Sequence, residues 1–248
     1  MTINEANETC DSILGGRIRV IQPRKGYRFS VDALLVARFV RVRARDRVLE
    51  LGAGSGVVSM CVAALYGPRE VVALEMEPAL VAMARRGAEL NGLGSMRAIA
   101  ADLRERRIQG IAANSFDLVI ANPPYRAVAT GRESPIQARR VARSEAEGTL
   151  EDFVSAAGRY ARHRGSAAFV FLAERSAELL ATMRAHRLEP KRIRFVHPRA
   201  DRAATAVLVE ARKGGGTGVE VEPPLILYAR ERVYTDEARA MLGGAEYR

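Results

Sequence analysis

The chain has few residues that could form disulfide bonds or bind metal ions. Its only cysteines are Cys10 and Cys61, and Cys61 falls inside a helix-like apolar pattern. The three histidines, His163, His186 and His197, lack the spacing of a metal-binding motif. We therefore expect no disulfide framework, no zinc site and no other bound metal.

Long apolar runs are also absent. No stretch reaches the roughly 20 apolar residues that a membrane-spanning helix needs. Residues 1–11 are polar and acidic, unlike the basic and apolar start of a signal peptide. These absences predict a soluble, cytoplasmic protein without a membrane partner.

Lysine is scarce although the chain is strongly basic. Only Lys25, Lys191 and Lys213 are lysines among 39 basic residues, and the formal net charge is +10. Such a charge favours a nucleic-acid partner, because neutralising phosphates supplies much of non-specific affinity. Arginines scattered over a solvated surface would give the same total, so clustering of the arginines is the better indicator.

The most informative motif is Asn122-Pro123-Pro124-Tyr125, which follows the apolar run 116–121. Proline fixes φ and lacks an N–H, and a residue before proline avoids the helical region. Asn122 and Pro123 are therefore expected to be extended, with carbonyl groups held in nearly fixed directions. An ordinary strand-ending turn is the alternative, because Asn-Pro and Pro-Pro are common turn signals.

The acceptors of this motif suit a planar amino group. The nitrogen of an amino group conjugated to a ring, or of an amide, is a poor nucleophile because its lone pair is delocalised. If the Asn122 side-chain oxygen and the Pro123 carbonyl each accept one hydrogen, the lone pair can point at an electrophile. Tyr125 would supply a surface on which the planar group stacks. The motif therefore predicts the catalytic residues Asn122, Pro123, Pro124 and Tyr125.

A second motif joins a strand, a glycine loop and a helix. The buried-strand pattern 47–51 leads into the loop 52–56, Gly-Ala-Gly-Ser-Gly, and then into the helix-like segment 57–65. Glycines there allow close backbone approach, and the helix N-terminus offers free N–H groups to a polar ligand. Val57 stands where a dinucleotide-binding loop has its last glycine, so a nicotinamide cofactor is disfavoured.

Acidic residues follow the next two predicted strands. Glu75 is placed to bind both hydroxyls of a ribose. Glu77 is a second candidate for this role, but the sequence Glu77-Pro78 is typical of the start of a helix. Asp102 is placed to accept a hydrogen bond from an adenine amino group, or else to be a solvated loop carboxylate. Both acids and the two motifs fall at carboxyl ends of strands, where open α/β sheets bind ligands.

Strands and helices alternate along the chain, which predicts an α/β fold with a mainly parallel sheet and a sizeable core. The predicted strands are 47–51, 70–74, 96–100, 116–120, 166–172, 191–196 and 206–211. The predicted helices are 33–39, 57–65, 150–163 and 175–186.

The order of these features resembles the class I S-adenosylmethionine-dependent methyltransferases that methylate amino groups and carry Asn-Pro-Pro-Tyr. The segment 22–35 is similar to the one before the glycine loop in the bacterial valine tRNA adenine-37 N6-methyltransferases, and 143–145, 197–198 and 206–210 add support. The resemblance covers about 15–242. It implies a Rossmann-like, seven-stranded fold whose mainly parallel sheet ends in an antiparallel hairpin.

The resemblance also implies S-adenosyl-L-methionine as cofactor. In that family the segment before the glycine loop folds over the cofactor, so Phe29, Ser30 and Asp32 are pocket candidates, although Ser30 or Asp32 could simply cap a helix. The predicted cofactor-binding residues are Phe29, Ser30, Asp32, Glu50, Gly52, Ala53, Gly54, Gly56, Glu75, Met76, Asp102 and Asn122. The predicted organisation is a flexible tail over 1–14, a cofactor-lid segment over 15–46 and one catalytic domain over 47–248.

Arginines cluster after the Asn-Pro-Pro-Tyr motif. A loop there would overhang the mouth of the site and could grip phosphates on either side of a target base. The predicted RNA-binding residues are Arg126, Arg132, Arg139, Arg140 and Arg143, and Lys191, Arg192, Arg194, Arg199 and Arg202 would extend the basic track. The glycine run 213–218 lacks the context of a phosphate-binding loop and is predicted to be a flexible connector.

The predicted activity is methylation of the N6 amino group of an adenine in RNA, most readily in a tRNA loop, where flipping a base out of its stack costs less. The strongest alternative is a protein glutamine, since release-factor glutamine methyltransferases share the motif. Those enzymes usually carry a longer helical domain than the 51 residues that precede Gly52 here. Guanine N2 methylation, a non-enzymatic binding protein and an NAD-dependent oxidoreductase are further alternatives.

Overall fold

Apolar runs form the strands of one central sheet with helices on both faces. The computed structural model describes residues 3–26, 28–124 and 148–244. The strands are β1 (Glu8–Ile13), β2 (Ile18–Pro23), β3 (Arg47–Leu51), β4 (Glu70–Glu75), β5 (Met96–Ala100), β6 (Phe116–Ala121), β7 (Ala161–Leu172), β8 (Leu188–His197), β9 (Ala206–Lys213), β10 (Glu220–Val221), β11 (Leu225–Ile226), β12 (Tyr228–Arg230) and β13 (Val233–Tyr234).

Seven long strands make up the sheet in the order β5-β4-β3-β6-β7-β9-β8, and the short β10 and β11 both pair with β8. Neighbours from β5 to β7 run parallel, whereas β9 is antiparallel to both β7 and β8. Leu51 at the end of β3 is level with Leu74 of β4 and Ala121 of β6. The predicted Rossmann-like fold with a terminal antiparallel hairpin is therefore confirmed.

Helices cover both faces of the sheet. They are α1 (Val31–Phe39), α2 (Val57–Tyr66), α3 (Pro78–Leu90), α4 (Leu150–Tyr160), α5 (Ser176–Ala185) and α6 (Asp236–Met241). Buried side chains of α1, α2 and α3 form a core with Val48, while those of α4 and α5 form a second core with the next residue, Leu49. Successive strand residues point to opposite faces, so the central strands read as continuous apolar runs. None of the helices in the described ranges is long and apolar enough to cross a membrane.

The N-terminal residues form a hairpin where a flexible tail was predicted. β1 pairs antiparallel with β2, Glu8 and Ile13 are buried, and the turn residues 14–16 all have positive φ. The Arg86 guanidinium on α3 forms a 2.5 Å ion pair with Glu8, and the Asn91 side chain exchanges two hydrogen bonds with the backbone of β2. The prediction was wrong for β1 because its polar side chains have partners that the local sequence does not reveal.

The helix predicted over 150–163 ends at Tyr160, and β7 begins directly at Ala161. Arg164 has a φ of 61°, and Gly165 lies so close to β6 that an added Cβ would be 3.0 Å from the Phe116 carbonyl oxygen. Close approach of the backbones therefore requires glycine here and favours a strand over a further helical turn.

Two basic residues predicted to extend an RNA-binding track are bound to other groups of the protein. The Arg192 guanidinium forms ion pairs with Glu210 at 2.5 Å and Glu222 at 2.8 Å. The Lys191 ammonium donates to carbonyl oxygens of residues 216–218, so the glycine run surrounds a cation. Both side chains therefore stabilise the edge of the sheet near β8.

Candidate ligand site at the carboxyl ends of the strands

Two adjoining cavities lie at the carboxyl ends of β3, β4, β5 and β6, and the larger of these two, called the large cavity, has a volume of about 200 Å³. The predicted site residues that line it are Gly52, Gly54, Glu75, Met76, Asp102, Asn122 and Pro124. The other lining residues are Leu74, Glu77, Leu80, Ala101, Leu103 and Phe153. The fold thus brings residues from four separate loops into one concave site, as expected for an open parallel sheet.

The glycine loop between β3 and α2 depends on backbone conformations that favour glycine. Gly52, Gly54 and Gly56 have φ values of 64°, 56° and 81°. A Cβ at Gly52 would lie 2.9 Å from the ring of Phe153, whereas a Cβ at Gly54 would meet nothing within 4 Å. Gly52 therefore permits close packing against α4, while Gly54 leaves open space at the cavity wall.

The Glu75 carboxylate at the end of β4 is held by two backbone N–H groups. Gly54 N donates to Oε2 at 2.8 Å, and Glu77 N donates to Oε1 at 2.9 Å. Only 9% of Glu75 is exposed, although it lines the large cavity. Each carboxylate oxygen has a second lone pair, so the side chain is fixed in place and can still accept hydrogen bonds from a ligand.

The Asp102 carboxylate, after β5, is engaged by a residue of its own loop. The Arg104 guanidinium donates to both Asp102 oxygens, and Arg104 N donates to Oδ1 at 2.8 Å. Hydrogen bonding to Arg104 lowers the pKa of Asp102 and outweighs the opposing effect of burial. Asp102 is therefore an ionised acceptor at neutral pH, part of whose acceptor capacity is already used.

Apolar side chains form much of the remaining wall of the large cavity. Met76 is 38% exposed, Leu103 is buried after β5, and Leu80 projects from α3. A flat apolar group can pack between such side chains while a neighbouring carboxylate binds hydroxyls. The large cavity therefore combines an apolar wall with the fixed carboxylate of Glu75 and the carboxylate of Asp102.

A second cavity of about 30 Å³, the small cavity, shares Gly52, Gly54, Leu80 and Asn122 with the large one. Its other lining residues are Phe29, Ala33, Glu50, Ala53, Ser55, Val57 and Val58. The predicted pocket residue Phe29 thus lies beside the glycine loop. Ser30 and Asp32 are not among the residues that line these two cavities; the Ser30 hydroxyl donates to Asp32 at 3.1 Å.

Asn122 directly follows β6 and lines both cavities, so it lies where the two meet. Pro124 lines the large cavity, while Pro123 lines neither. The predicted catalytic Tyr125 lies outside the described residues. So do the predicted RNA-binding residues Arg126, Arg132, Arg139, Arg140 and Arg143.

Glu50 of β3 is a carboxyl group in the floor of the small cavity. It is 3% exposed, and its Oε2 accepts hydrogen bonds from Ser59 N at 2.8 Å and Ser59 Oγ at 2.5 Å. Burial raises the pKa of Glu50 to about 8, more than the Ser59 hydrogen bonds lower it, and the nearby Glu75 also raises it. Glu50 is therefore largely protonated at neutral pH in the folded protein.

Glu50→Gln is expected to flatten the pH dependence of stability. The folded protein retains a proton on Glu50 up to about pH 8, whereas the ordinary pKa of a glutamate is 4.5, so the free energy of unfolding falls as the pH rises through this window. Glutamine keeps an acceptor for Ser59 but cannot ionise. The check is Tm measured between about pH 5 and pH 8, with the exposed Glu77→Gln as control; equal slopes for wild type and Glu50→Gln would contradict the expectation.

Sequence reasoning missed Phe153, Arg104 and Ser59, which support Gly52, Asp102 and Glu50. The available signal for Phe153 was a capping box, in which the Thr149 side chain accepts from Asp152 N and the Asp152 side chain accepts from Thr149 N. This pattern marks where α4 starts and hence which residues form its first turn. Nothing in the local sequence shows which loop that turn faces.

Among the described residues, no group of three or more histidine, cysteine, aspartate or glutamate side chains is arranged to hold a metal ion. The polar groups of the site are instead carboxylates, an amide and backbone N–H groups at the ends of parallel strands. This arrangement suits an organic ligand with hydroxyl and amino groups.

Comparison with known proteins gives both sequence relatives and a structural neighbour. The chain is 33% identical over 148 residues to a release factor glutamine methyltransferase of Bordetella pertussis, covering 60% of this chain and 51% of the relative. It is 25% identical over 222 residues to a tRNA1(Val) (adenine(37)-N6)-methyltransferase of Aeromonas hydrophila, covering 89% and 90% of the two chains. The chain thus spans about half the length of the first relative and most of the second.

A solved structure from Agrobacterium tumefaciens, described as a predicted O-methyltransferase, has a TM-score of 0.70 and 27% identity, covering 87% of this chain and 98% of that one. The family model of the methyltransferase small domain matches residues 30–184, which include the glycine loop, Glu75, Asp102 and Asn122. The chain therefore belongs to the methyltransferase small domain family.

Proposed function

We propose that this methyltransferase modifies the N6 amino group of an adenine in RNA, with tRNA as the favoured substrate. The observation that carries the proposal is the position of Asn122, which lines both cavities at the end of β6 and is followed by two prolines. The side-chain amide of Asn122 therefore lies beside the glycine loop and has a carbonyl oxygen to offer an amino group.

S-adenosyl-L-methionine is the methyl donor, and its sulfonium supplies an electrophilic methyl group when it is bound. Glu75 would hold the ribose hydroxyls, and Met76 and Asp102 would contact the adenine. The glycine loop and Phe29 would enclose the rest of the molecule. These assignments agree with the fixed carboxylate of Glu75, the apolar wall of the large cavity and the open space beside Gly54.

Asn122 and Pro123 would orient the acceptor nitrogen. An adenine amino group is conjugated with its ring, so hydrogen bonds from its two N–H groups to carbonyl oxygens help to free the lone pair. Tyr125 would stack on the base. Positioning of the two reacting groups supplies much of the rate, and no general base is needed before methyl transfer.

An RNA substrate agrees with the charge of the protein, which is +10 overall. The arginines 126, 132, 139, 140 and 143 would contact phosphates around the flipped base. A base in a loop, such as the anticodon arm of a tRNA, leaves its stack at a lower cost than a base in a duplex. The sequence match to a tRNA1(Val) (adenine(37)-N6)-methyltransferase covers 90% of that relative, which adds support for an RNA substrate.

Methylation of a protein glutamine is the second candidate. It is favoured by the 33% identity to a release factor glutamine methyltransferase, although the match spans only 51% of that relative. The nitrogen of a glutamine amide has a delocalised lone pair, as adenine N6 does, so the proposed role of Asn122 suits both substrates. The two candidates differ in the macromolecule that is recognised, since a release factor does not present a continuous phosphate backbone.

The test is incubation of the protein with S-adenosyl-L-methionine and either unmodified bulk tRNA or an unmethylated release factor. Nucleoside mass spectrometry with chromatographic separation distinguishes N6-methyladenosine from N2-methylguanosine and from ribose O-methylation, and peptide mass spectrometry detects N5-methylglutamine. N6-methyladenosine in tRNA is the expected result. Methylation of the release factor alone would overturn the RNA proposal in favour of the second candidate.

A further inference from the structure

The segment between β2 and α1 is tied to the N-terminal hairpin by a polar network. Gln22, at the end of β2, is 2% exposed, and its Nε2 donates to Asp11 Oδ2 at 2.7 Å. Its Oε1 accepts a hydrogen bond from Phe29 N at 3.3 Å. One buried amide therefore connects β1 to the backbone of a residue that lines the small cavity.

The orientation of the Gln22 amide is determined by its partners. A carboxylate can only accept and a backbone N–H can only donate, so exchanging the amide oxygen and nitrogen would lose both hydrogen bonds. Asp11 is itself held, because Thr9 Oγ1 donates to it at 2.8 Å and Arg28 Nη2 donates to it at 2.9 Å. The network thus holds the Gln22 amide in one orientation through Asp11, and Gln22 in turn holds the backbone N–H of Phe29.

Phe29 is partly buried against the core that contains α1 and α2, beside Glu50, Gly52 and Asn122 around the small cavity. None of the described residues of β1 and β2 lines either cavity. The hairpin therefore does not line the ligand site itself, and the segment that carries Phe29 is one route by which it can affect that site.

We propose that Gln22 is a positioning residue for the methyl-donor site, which holds Phe29 against the glycine loop and so couples the N-terminal hairpin to cofactor affinity. The proposal rests on the proposed binding of S-adenosyl-L-methionine at this site. Gln22 does not touch the cofactor; it fixes the backbone of a residue that does.

The test uses Gln22→Met, which keeps the length of the side chain but removes both hydrogen bonds. Isothermal titration with S-adenosyl-L-methionine and with S-adenosyl-L-homocysteine is expected to show a dissociation constant raised about tenfold. Thr9→Val is the matched control, because it removes a hydroxyl that bonds Asp11 and Arg28 in the same network but leaves the bond from Phe29 N to Gln22 in place. Its dissociation constant is expected to stay within about twofold of wild type.

Phe29→Ala and the double variant separate positioning from general loss of stability. If Gln22 acts through Phe29, the double variant binds no more weakly than Phe29→Ala alone, whereas independent effects multiply. The positioning role would be overturned if the two effects on affinity multiply. It would also be overturned if Gln22→Met binds the cofactor with wild-type affinity while Phe29→Ala binds it more weakly. Either result leaves the proposed function intact. Failure of the folded wild type to bind S-adenosyl-L-methionine would overturn the donor site itself.

Discussion

Asn122→Ala is expected to lower kcat for methyl transfer by about 100-fold or more, with little change in the affinity for S-adenosyl-L-methionine. Alanine removes the side-chain oxygen that would accept from the amino group of the substrate. It leaves Glu75 and the backbone of the glycine loop in place. Single-turnover assays, together with cofactor titration of the same protein preparation, measure the two quantities separately.

Asn122→Asp is the matched control for this substitution. Aspartate has nearly the same size and keeps an acceptor oxygen, so it is expected to retain more activity than alanine. An unchanged kcat in Asn122→Ala would reject the proposed role of the side chain. A parallel loss of cofactor affinity and activity would instead assign Asn122 to the donor side of the site.

Glu75→Ala is expected to raise the dissociation constant of S-adenosyl-L-methionine by about 100-fold or more, which corresponds to loss of two hydrogen bonds to a charged group. The same change leaves Gly54 N and Glu77 N without their carboxylate partner. The glycine loop should therefore lose order as well as a ligand contact. Isothermal titration of the purified variant measures the affinity, and circular dichroism checks the fold.

Glu77→Ala is the control, because Glu77 is a second acidic side chain in the wall of the same cavity. It is exposed and makes no side-chain capping bond at the start of α3. Its replacement is expected to change cofactor affinity by less than about threefold. Equal losses in the two variants would show that general negative charge, and not the fixed geometry of Glu75, determines cofactor affinity.

Much of the fold could be predicted because the central strands are buried on both faces. Runs such as 47–51 and 116–121 are mostly apolar, each with one or two charged residues, and glycine or proline follows within two residues of their ends. The parallel register then brings the residues after each strand to one edge of the sheet. For this reason the sequence alone could assign the glycine loop, Glu75, Asp102 and Asn122 to one edge of the sheet.

The contacts between distant segments could not be predicted. Phe153 lies under Gly52 although 100 residues of sequence separate them, and only the packing of α4 on the sheet brings them together. The hairpin was missed for a similar reason. β1 is polar, and its Glu8 pairs with Arg86 on α3, while β2 is bound by Asn91 directly after the same helix.

The hairpin also determines how this protein can be shortened. Removal of the residues before Gly15, which the sequence predicted to be a flexible tail, would delete the strand that pairs with β2. Asp11 would be lost with it, leaving the Gln22 amide without its carboxylate partner. A truncated version designed for crystallisation or for fusion to another domain would therefore start with an exposed strand edge, and under the proposed role of Gln22 it would bind the methyl donor more weakly.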